Sequence, residues 1–231
     1  MAPGKSISGG QRSAPATQEI KLTGPMTWTG YALDAFVAPN LSKFKTADIQ
    51  DRSATATSSS GWVGSFTLRS IFVRPPKAEE AGKYAFQFVR RAASMVRAYE
   101  AARIATSEFF KVHSPKNPAL SIYARAVDYW EEFLHYAQYV IRLLSLMSDM
   151  GGKSYEPGDG TLFERLNELC NAARHSQNKI PEEYEIADAA FIVWMENDGL
   201  HSAKHHITWV ETAEIVDEVA KLAGYDGAAP R

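Results

Sequence analysis

The sequence contains a single cysteine, Cys170, and almost no net charge. Because one thiol cannot form a disulfide within the chain, we expect a reducing, cytoplasmic setting. The formal net charge of -2 excludes a protein that binds nucleic acid through its overall charge. No stretch approaches the about 18 uninterrupted apolar residues of a membrane span, so no membrane partner is expected.

The glycine patterns of nucleotide-binding loops are also missing. There is no Gly-x-Gly-x-x-Gly pattern, and residues 151–154 (GGKS) match only the end of a P-loop. A predicted helix precedes these residues, whereas a P-loop follows a strand. We therefore expect no cofactor.

Large side chains are plentiful, with five Trp, ten Tyr and eleven Phe, so a sizeable core is expected. Residues 1–19 are rich in Gly, Ser and Pro and are predicted to be a flexible tail. Residues 20–82 are predicted to be an irregular N-terminal arm. Within it, residues 31–37 suit a short helix, residues 53–61 a polar loop and residues 62–73 a strand.

Apolar residues recur at three- and four-residue steps in two long segments, at 85–102 and 120–144. This spacing is typical of helices that face a core. A short proline-containing turn separates the segments, which predicts an antiparallel helical hairpin. The helical domain is predicted to cover residues 83–226.

Two Thr-x-x-Glu patterns predict the starts of a third helix, at Thr161, and of the last helix, at Thr208. Between these helices, an apolar run at 189–195, an Asn-Asp-Gly turn and residues 205–209 predict a hairpin. The predicted fold class is therefore mainly α. It is a four-helix-bundle-like domain with a small β-hairpin insert and an irregular N-terminal arm.

The C-terminal part of the chain carries a family resemblance. The strings LFERLNELCNAARHSQNKIP (162–181), MENDGL (195–200) and ITWVETAEIVDEVAKLA (207–223), with an apolar strand between the first two, resemble HEPN-type helical domains. The resemblance implies a HEPN-like bundle and a homodimer. It also implies a setting in bacterial defence or a toxin–antitoxin system. Catalytic members of this family cleave RNA without a metal, using an Arg and a His from each chain.

The family motif matches this sequence only in part. His175 matches its His and Asn171 its polar residue, but Cys170 stands at the Arg position. Metal-free RNA cleavage needs a base, an acid and a cation, and a neutral thiol cannot act as the cation. We therefore expect a non-catalytic binding or assembly module. The alternative is a metal-independent ribonuclease using His175 and Asn171, with Arg174 or Arg165 as the cation.

Histidines suggest two further metal-site hypotheses. Glu132 and His135 have the Glu-x-x-His spacing of di-iron bundles, although a second pair is missing, and a metal-binding helical bundle is a further alternative. His201, His205 and His206 would bind zinc only with a carboxylate or thiolate nearby. In a hairpin, the adjacent His205 and His206 point to opposite faces. No metal site is predicted.

The first long helix is basic. Arg90, Arg91 and Arg97 are candidate contacts for RNA phosphates, or they form a solvated face or pair with the acidic C-terminal segment. The expected partners are a second copy of the chain and an RNA or a protein.

Overall fold

A computed structural model describes most of the chain. The described residues are 30–72, 79–114, 117–147, 155–174 and 190–224, with the backbone alone at 69–72 and 79–82. Helices make up 69% of them, which confirms the mainly α class. No helix among these residues combines the length and the apolar character needed to cross a bilayer. The predicted tail, residues 1–19, lies outside the described residues.

Seven α-helices and three short strands follow one another in the described ranges. They are α1 (Gly30–Phe36), α2 (Ser53–Ser59), α3 (Trp62–Phe72), α4 (Glu79–Val112), α5 (Leu120–Met147), α6 (Leu162–Arg174), β1 (Trp194–Met195), β2 (Gly199–His201), β3 (His206–Thr208) and α7 (Trp209–Leu222). A 3-10 turn, Leu41–Lys43, follows α1. The helices α4 and α5 are by far the longest, and α2, α3, α6 and α7 pack against them.

The core lies between α4 and α5, which form the antiparallel pair expected from their apolar spacing. The ring of Tyr99 on α4 lies edge-on to Trp130 and Phe133 on α5, with centroids 5.6 Å apart in both cases. Inside this core, Trp130 Nε1 donates to Thr106 Oγ1 at 3.1 Å. The indole N–H is therefore satisfied although Trp130 is fully buried.

The prediction of a strand at 62–73 is wrong, because residues 62–72 form α3. Trp62 and Phe66 are four residues apart and share one face of this helix. Trp62 is buried, and the Phe66 ring lies 6.4 Å from that of Phe86 on α4. Packing of this face on α4 overrides the strand preference of the aromatic and β-branched residues.

The polar loop predicted at 53–61 is also a helix for most of its length. Its hydroxyl groups bond to backbone carbonyls within the helix, as in Thr57 Oγ1 to Ser53 O (2.9 Å) and Ser59 Oγ to Ala56 O (2.7 Å). Serine and threonine usually disfavour helices because they compete for backbone groups. Here α2 packs against α4, and that contact stabilises the helix.

The N-terminal segment shares the core of the long helices. Leu41 and Phe44 are buried in the same hydrophobic cluster as α4 and α5. Arg52 binds Asp217 of α7 through Nε and Nη2, at 2.7 and 2.6 Å, and its backbone amide donates to the buried carboxylate of Glu100 at 2.5 Å. These contacts attach the segment to both α4 and α7.

The C-terminal segment forms a three-stranded antiparallel sheet in the order β1-β2-β3, where a two-stranded hairpin was predicted. The Asn-Asp-Gly turn is confirmed, since Glu196 N donates to Gly199 O across it at 2.9 Å. The return strand is also confirmed, as β3. The middle strand β2 was missed because three residues are too few to show an alternating pattern.

The capping box at the start of α7 is confirmed. Glu211 N donates to Thr208 Oγ1 at 3.2 Å, and Thr208 N donates to Glu211 Oε2 at 2.9 Å. Arg165 of α6 also binds this carboxylate, and its hydrogen bonds, followed by those of Thr208, lower the pKa of Glu211 to about 2. At the start of α6 only half of the predicted box forms, because the Glu164 carboxylate accepts from loop amides instead.

Candidate functional site

A groove between α5 and α6 is lined by polar and aromatic side chains. It encloses a cavity of about 480 Å³ and is called the amide groove below. Its lining combines two arginines, three amides and three aromatic rings. These residues are Arg142, Arg174, Gln138, Asn167, Asn171, Tyr139, Tyr155 and Phe163.

The helical repeat of α6 brings its polar residues to this groove. Asn167, Asn171 and Arg174 follow one another at four- and three-residue steps, so they share one face. The neighbouring residues Leu166 and Cys170 are buried within the helical core. The polar face therefore lies at the edge of the contact between α5 and α6.

Gln138 links the two helices inside the groove. Its Nε2 donates to Asn167 Oδ1 at 2.6 Å, and its Oε1 accepts from Cys170 Sγ at 3.3 Å. Burial raises the pKa of the Cys170 thiol to about 11. The thiol is therefore a neutral donor near pH 7, and it can act neither as a thiolate nucleophile nor as a cation for phosphate.

At the end of the groove, Arg174 binds His135 of α5. Arg174 Nε and Nη2 lie 3.0 and 2.6 Å from His135 Nδ1. Because a guanidinium can only donate, this ring nitrogen must be an unprotonated acceptor. Partial burial, followed by the charges of Arg174 and Arg91, lowers the pKa of His135. A cation and a neutral imidazole therefore lie side by side here.

A second cavity, of about 320 Å³, shares Arg174 with the amide groove and is called the acidic pocket. Its carboxylates are Asp128, Glu131 and Glu132, and His135 lies among them. Burial, followed by repulsion from Asp128, raises the pKa of Glu131 to about 7. Glu131 can therefore both accept and donate a proton at neutral pH.

Of the three arginines predicted to contact RNA, one lies beside the amide groove. The Arg91 guanidinium lies 5.2 Å from the ring centroid of Tyr139 and 5.8 Å from that of Tyr136. Arg90 and Arg97 are exposed and, seven residues apart, share a different face of α4. The structure therefore separates the predicted group.

Of the residues carried over from the family motif, two lie in the same groove. Asn171 and Arg174 line the amide groove, while His175 lies outside the described residues. Arg165 binds Glu211 and the backbone oxygen of His206, so it is engaged on the side of the sheet.

The polar groove residues on α5, Gln138 and Arg142, were missed by the sequence reasoning. A usable signal was present, because Glu131, His135, Gln138 and Arg142 follow at four-, three- and four-residue steps. This is a polar stripe at helical spacing beside the apolar stripe of α5. It is the counterpart of the Asn167–Asn171–Arg174 face of α6.

Side chains of the types that can bind a metal converge elsewhere. Among the described residues, the group of three with ligand atoms close together is Glu196, Asp198 and His201, in the sheet. The predicted pair Glu132 and His135 is not part of that group. His135 instead accepts hydrogen bonds from Arg174.

We expect Glu131→Gln to change the pH dependence of stability. The folded-state pKa of about 7 lies above the ordinary value of 4.5. The wild-type carboxyl therefore stabilises the fold fully below pH 4.5, and this contribution is lost as the pH rises through 7. The urea midpoint of the variant should rise relative to wild type between pH 5 and pH 8. Glu132→Gln, which replaces an exposed neighbouring carboxylate, is the control. An equal dependence of the urea midpoint on pH in the two variants would contradict the expectation.

The chain was compared with protein-family models, with curated proteins and with solved structures. These comparisons found no match. The resemblance to HEPN-type domains therefore rests on the sequence strings alone.

Proposed function

We propose that this protein is a non-catalytic binding module that holds a single-stranded RNA segment in the amide groove. The observation that carries the proposal is the presence of guanidinium groups, side-chain amides and partly exposed rings in one cavity. Arg142 and Arg174 would pair with phosphates. Tyr139 and Phe163 are 39% and 42% exposed, so part of each ring is accessible for stacking with a base.

Electrostatics at the groove support an anionic ligand. Arg91 lies over the Tyr139 ring, and Arg142 and Arg174 line the groove. Three arginines therefore lie near the C-terminal half of α5. The neutral chain average hides this local concentration of positive charge. The acidic pocket shares Arg174 with the groove, and Glu131 is partly neutral there at pH 7.

The absence of catalysis is proposed from the position of Cys170. In the family motif an arginine stands there, and in this chain a buried, neutral thiol donates to Gln138. The side chain is therefore committed to the contact between α5 and α6. It offers no charge to a phosphorane.

The proposed module has a HEPN-like arrangement and acts as a homodimer. The order of two long helices, a shorter helix, a small sheet and a closing helix supports this arrangement. The homodimer and the setting in bacterial defence or a toxin–antitoxin system are supported by the sequence resemblance. Light scattering at micromolar concentrations tests the dimer.

The Arg174–His135 pair favours a second candidate function, that of a metal-independent ribonuclease. A neutral imidazole can take a proton from a 2′-hydroxyl, and a carboxyl with a pKa near 7 can protonate a leaving oxygen. Glu131 has the second property, and Arg174 supplies a cation in the same pocket, whereas His135 can act as the base only when its Nδ1 no longer accepts from Arg174. Asn171, predicted for catalysis together with His175, lines the amide groove, which shares Arg174 with this pocket.

One experiment separates the two candidates. Fluorescence anisotropy of a labelled single-stranded RNA is followed in EDTA, and the RNA is then examined on a denaturing gel. If the protein is a non-catalytic binding module, the RNA should bind saturably and remain intact. Shortened RNA with wild type, but not with His135→Ala or His175→Ala, would establish the ribonuclease instead, provided that His205→Ala remains active.

Two results would directly contradict the binding proposal. If neither single-stranded RNA nor single-stranded DNA changes its anisotropy at low salt, the amide groove is not a nucleic-acid site. Binding that is equal for duplex and single strands would also contradict it, because paired bases cannot stack on Tyr139 and Phe163.

A further inference from the structure

We propose that the turn between β1 and β2 is a binding site for zinc, formed by Glu196, Asp198 and His201. The ligand atoms of these three side chains all lie within 4.8 Å of one another. His201 Nε2 and Asp198 Oδ1 are 2.9 Å apart. Two ligands at roughly 2.0–2.1 Å from a tetrahedral zinc ion are about 3.3 Å apart, so this pair needs little movement to share an ion.

The histidine is held in place by rings on both neighbouring strands. Trp194 on β1 and His206 on β3 are the cross-strand partners of His201. The centroid of the His201 ring lies 6.4 Å from that of the Trp194 ring and 5.2 Å from that of the His206 ring. The interplanar angles are 23° and 13°, respectively. Stacking on both sides limits rotation of the imidazole, so the ring is already oriented for binding a metal ion.

Glu196 is oriented by hydrogen bonds to one of its oxygens. Its Oε1 accepts from Trp194 Nε1 at 2.9 Å and from Asn40 Nδ2 at 3.2 Å. Donors that fix a carboxylate in this way are typical of metal ligands, because the second oxygen then points in a defined direction. The same Trp194 therefore orients two of the three proposed ligands.

The turn that carries the ligands is anchored from two sides. Asn197 Oδ1 accepts from the backbone amides of Lys45 and Thr46, at 3.0 and 3.2 Å. Trp209 N donates to Asp198 O, and Trp209 Nε1 donates to Asn197 O, both at 3.0 Å. The spacing of the ligands is therefore set by the fold.

The donor set favours zinc over magnesium or calcium. One imidazole and two carboxylates are a zinc-type combination, whereas magnesium and calcium prefer oxygen ligands alone. A zinc site at the histidines was expected to need a carboxylate nearby. The segment that forms the Asn-Asp-Gly turn supplies two, Glu196 and Asp198. Three protein ligands leave the fourth position for water or another ligand, as in catalytic zinc sites. This site is separate from the amide groove and does not depend on RNA binding.

The test uses the full chain after treatment with EDTA and removal of the chelator. Zinc binding is measured by calorimetry, and cobalt is added as a spectroscopic substitute whose absorption reports tetrahedral coordination. We expect one ion per chain. Asp198→Asn and His201→Gln should each weaken binding by at least about tenfold. His205→Gln and His135→Gln are matched controls and should bind as wild type does.

Two results would overturn the proposal. One is the absence of zinc or cobalt binding by a wild-type protein with an intact circular dichroism spectrum. The other is binding that survives both ligand substitutions, or that is lost in His135→Gln. Asp198 is 62% exposed at its side chain, so Asp198→Asn should keep the thermal midpoint of the metal-free protein. That variant keeps the test valid if His201→Gln unfolds.

Discussion

We expect Gly199→Ala to destabilise the protein by about 3 kcal/mol, near the upper end of the usual cost of overpacking. A Cβ at this position would lie 2.0 Å from the backbone oxygen of Ile207 and 2.8 Å from Thr208 Cα. Both atoms belong to the backbone of β3, so no side chain can move aside. The sheet has to separate, and this also displaces the turn with Asp198. The free energy of unfolding in urea measures the effect.

Gly64→Ala is the matched control for this prediction. A Cβ on Gly64, in α3, has no atom within 4 Å. Alanine is favoured over glycine inside a helix by roughly 0.5–1 kcal/mol, so Gly64→Ala should be neutral or stabilising. Opposite signs for the two variants would show that close backbone packing is the cause. A Gly199→Ala protein as stable as wild type would contradict the observed register of β2 and β3.

The second large effect concerns RNA binding. We expect the double substitution Arg142→Gln and Arg174→Gln to weaken RNA binding by about 100-fold, because each lost charged hydrogen bond to a phosphate costs roughly tenfold. The slope of log affinity against log salt should fall by about 1.4, since each contact on a single strand contributes about 0.7. Anisotropy titrations at several salt concentrations measure both quantities.

The control separates the amide groove from the surface of α4. Arg90→Gln with Arg97→Gln removes the same charge from the exposed face of α4. This variant should bind RNA with nearly wild-type affinity. A larger loss in this variant than in the groove variant would place the RNA on α4 and refute the groove proposal.

The best sequence predictions concerned local interactions. The capping box of Thr208 and Glu211 lies within four residues, so chain-local chemistry was sufficient to predict where α7 begins. The apolar spacing of α4 and α5 predicted their contact, because a three- to four-residue period places those side chains on one face. The turn before Gly199 was predicted for the same local reason.

The errors occurred where distant contacts outweigh local preference. Trp62 and Phe66 suit a strand by composition, but they pack on α4, and that contact determines the helix. The hydroxyl-rich α2 is helical for the same reason. Only the folded chain shows that α4 is close enough to cover both segments.

The candidate sites show the same division. The sequence by itself determined that Asn171 and Arg174 share a helix face and that Asp198 and His201 flank a glycine turn, because these relations follow from short spacing. The tertiary structure alone decided that Arg174 contacts His135 and that Trp194 stacks on His201. These pairs come from different elements, and the packing of buried apolar residues, which the sequence does not specify pair by pair, determines which polar side chains become neighbours.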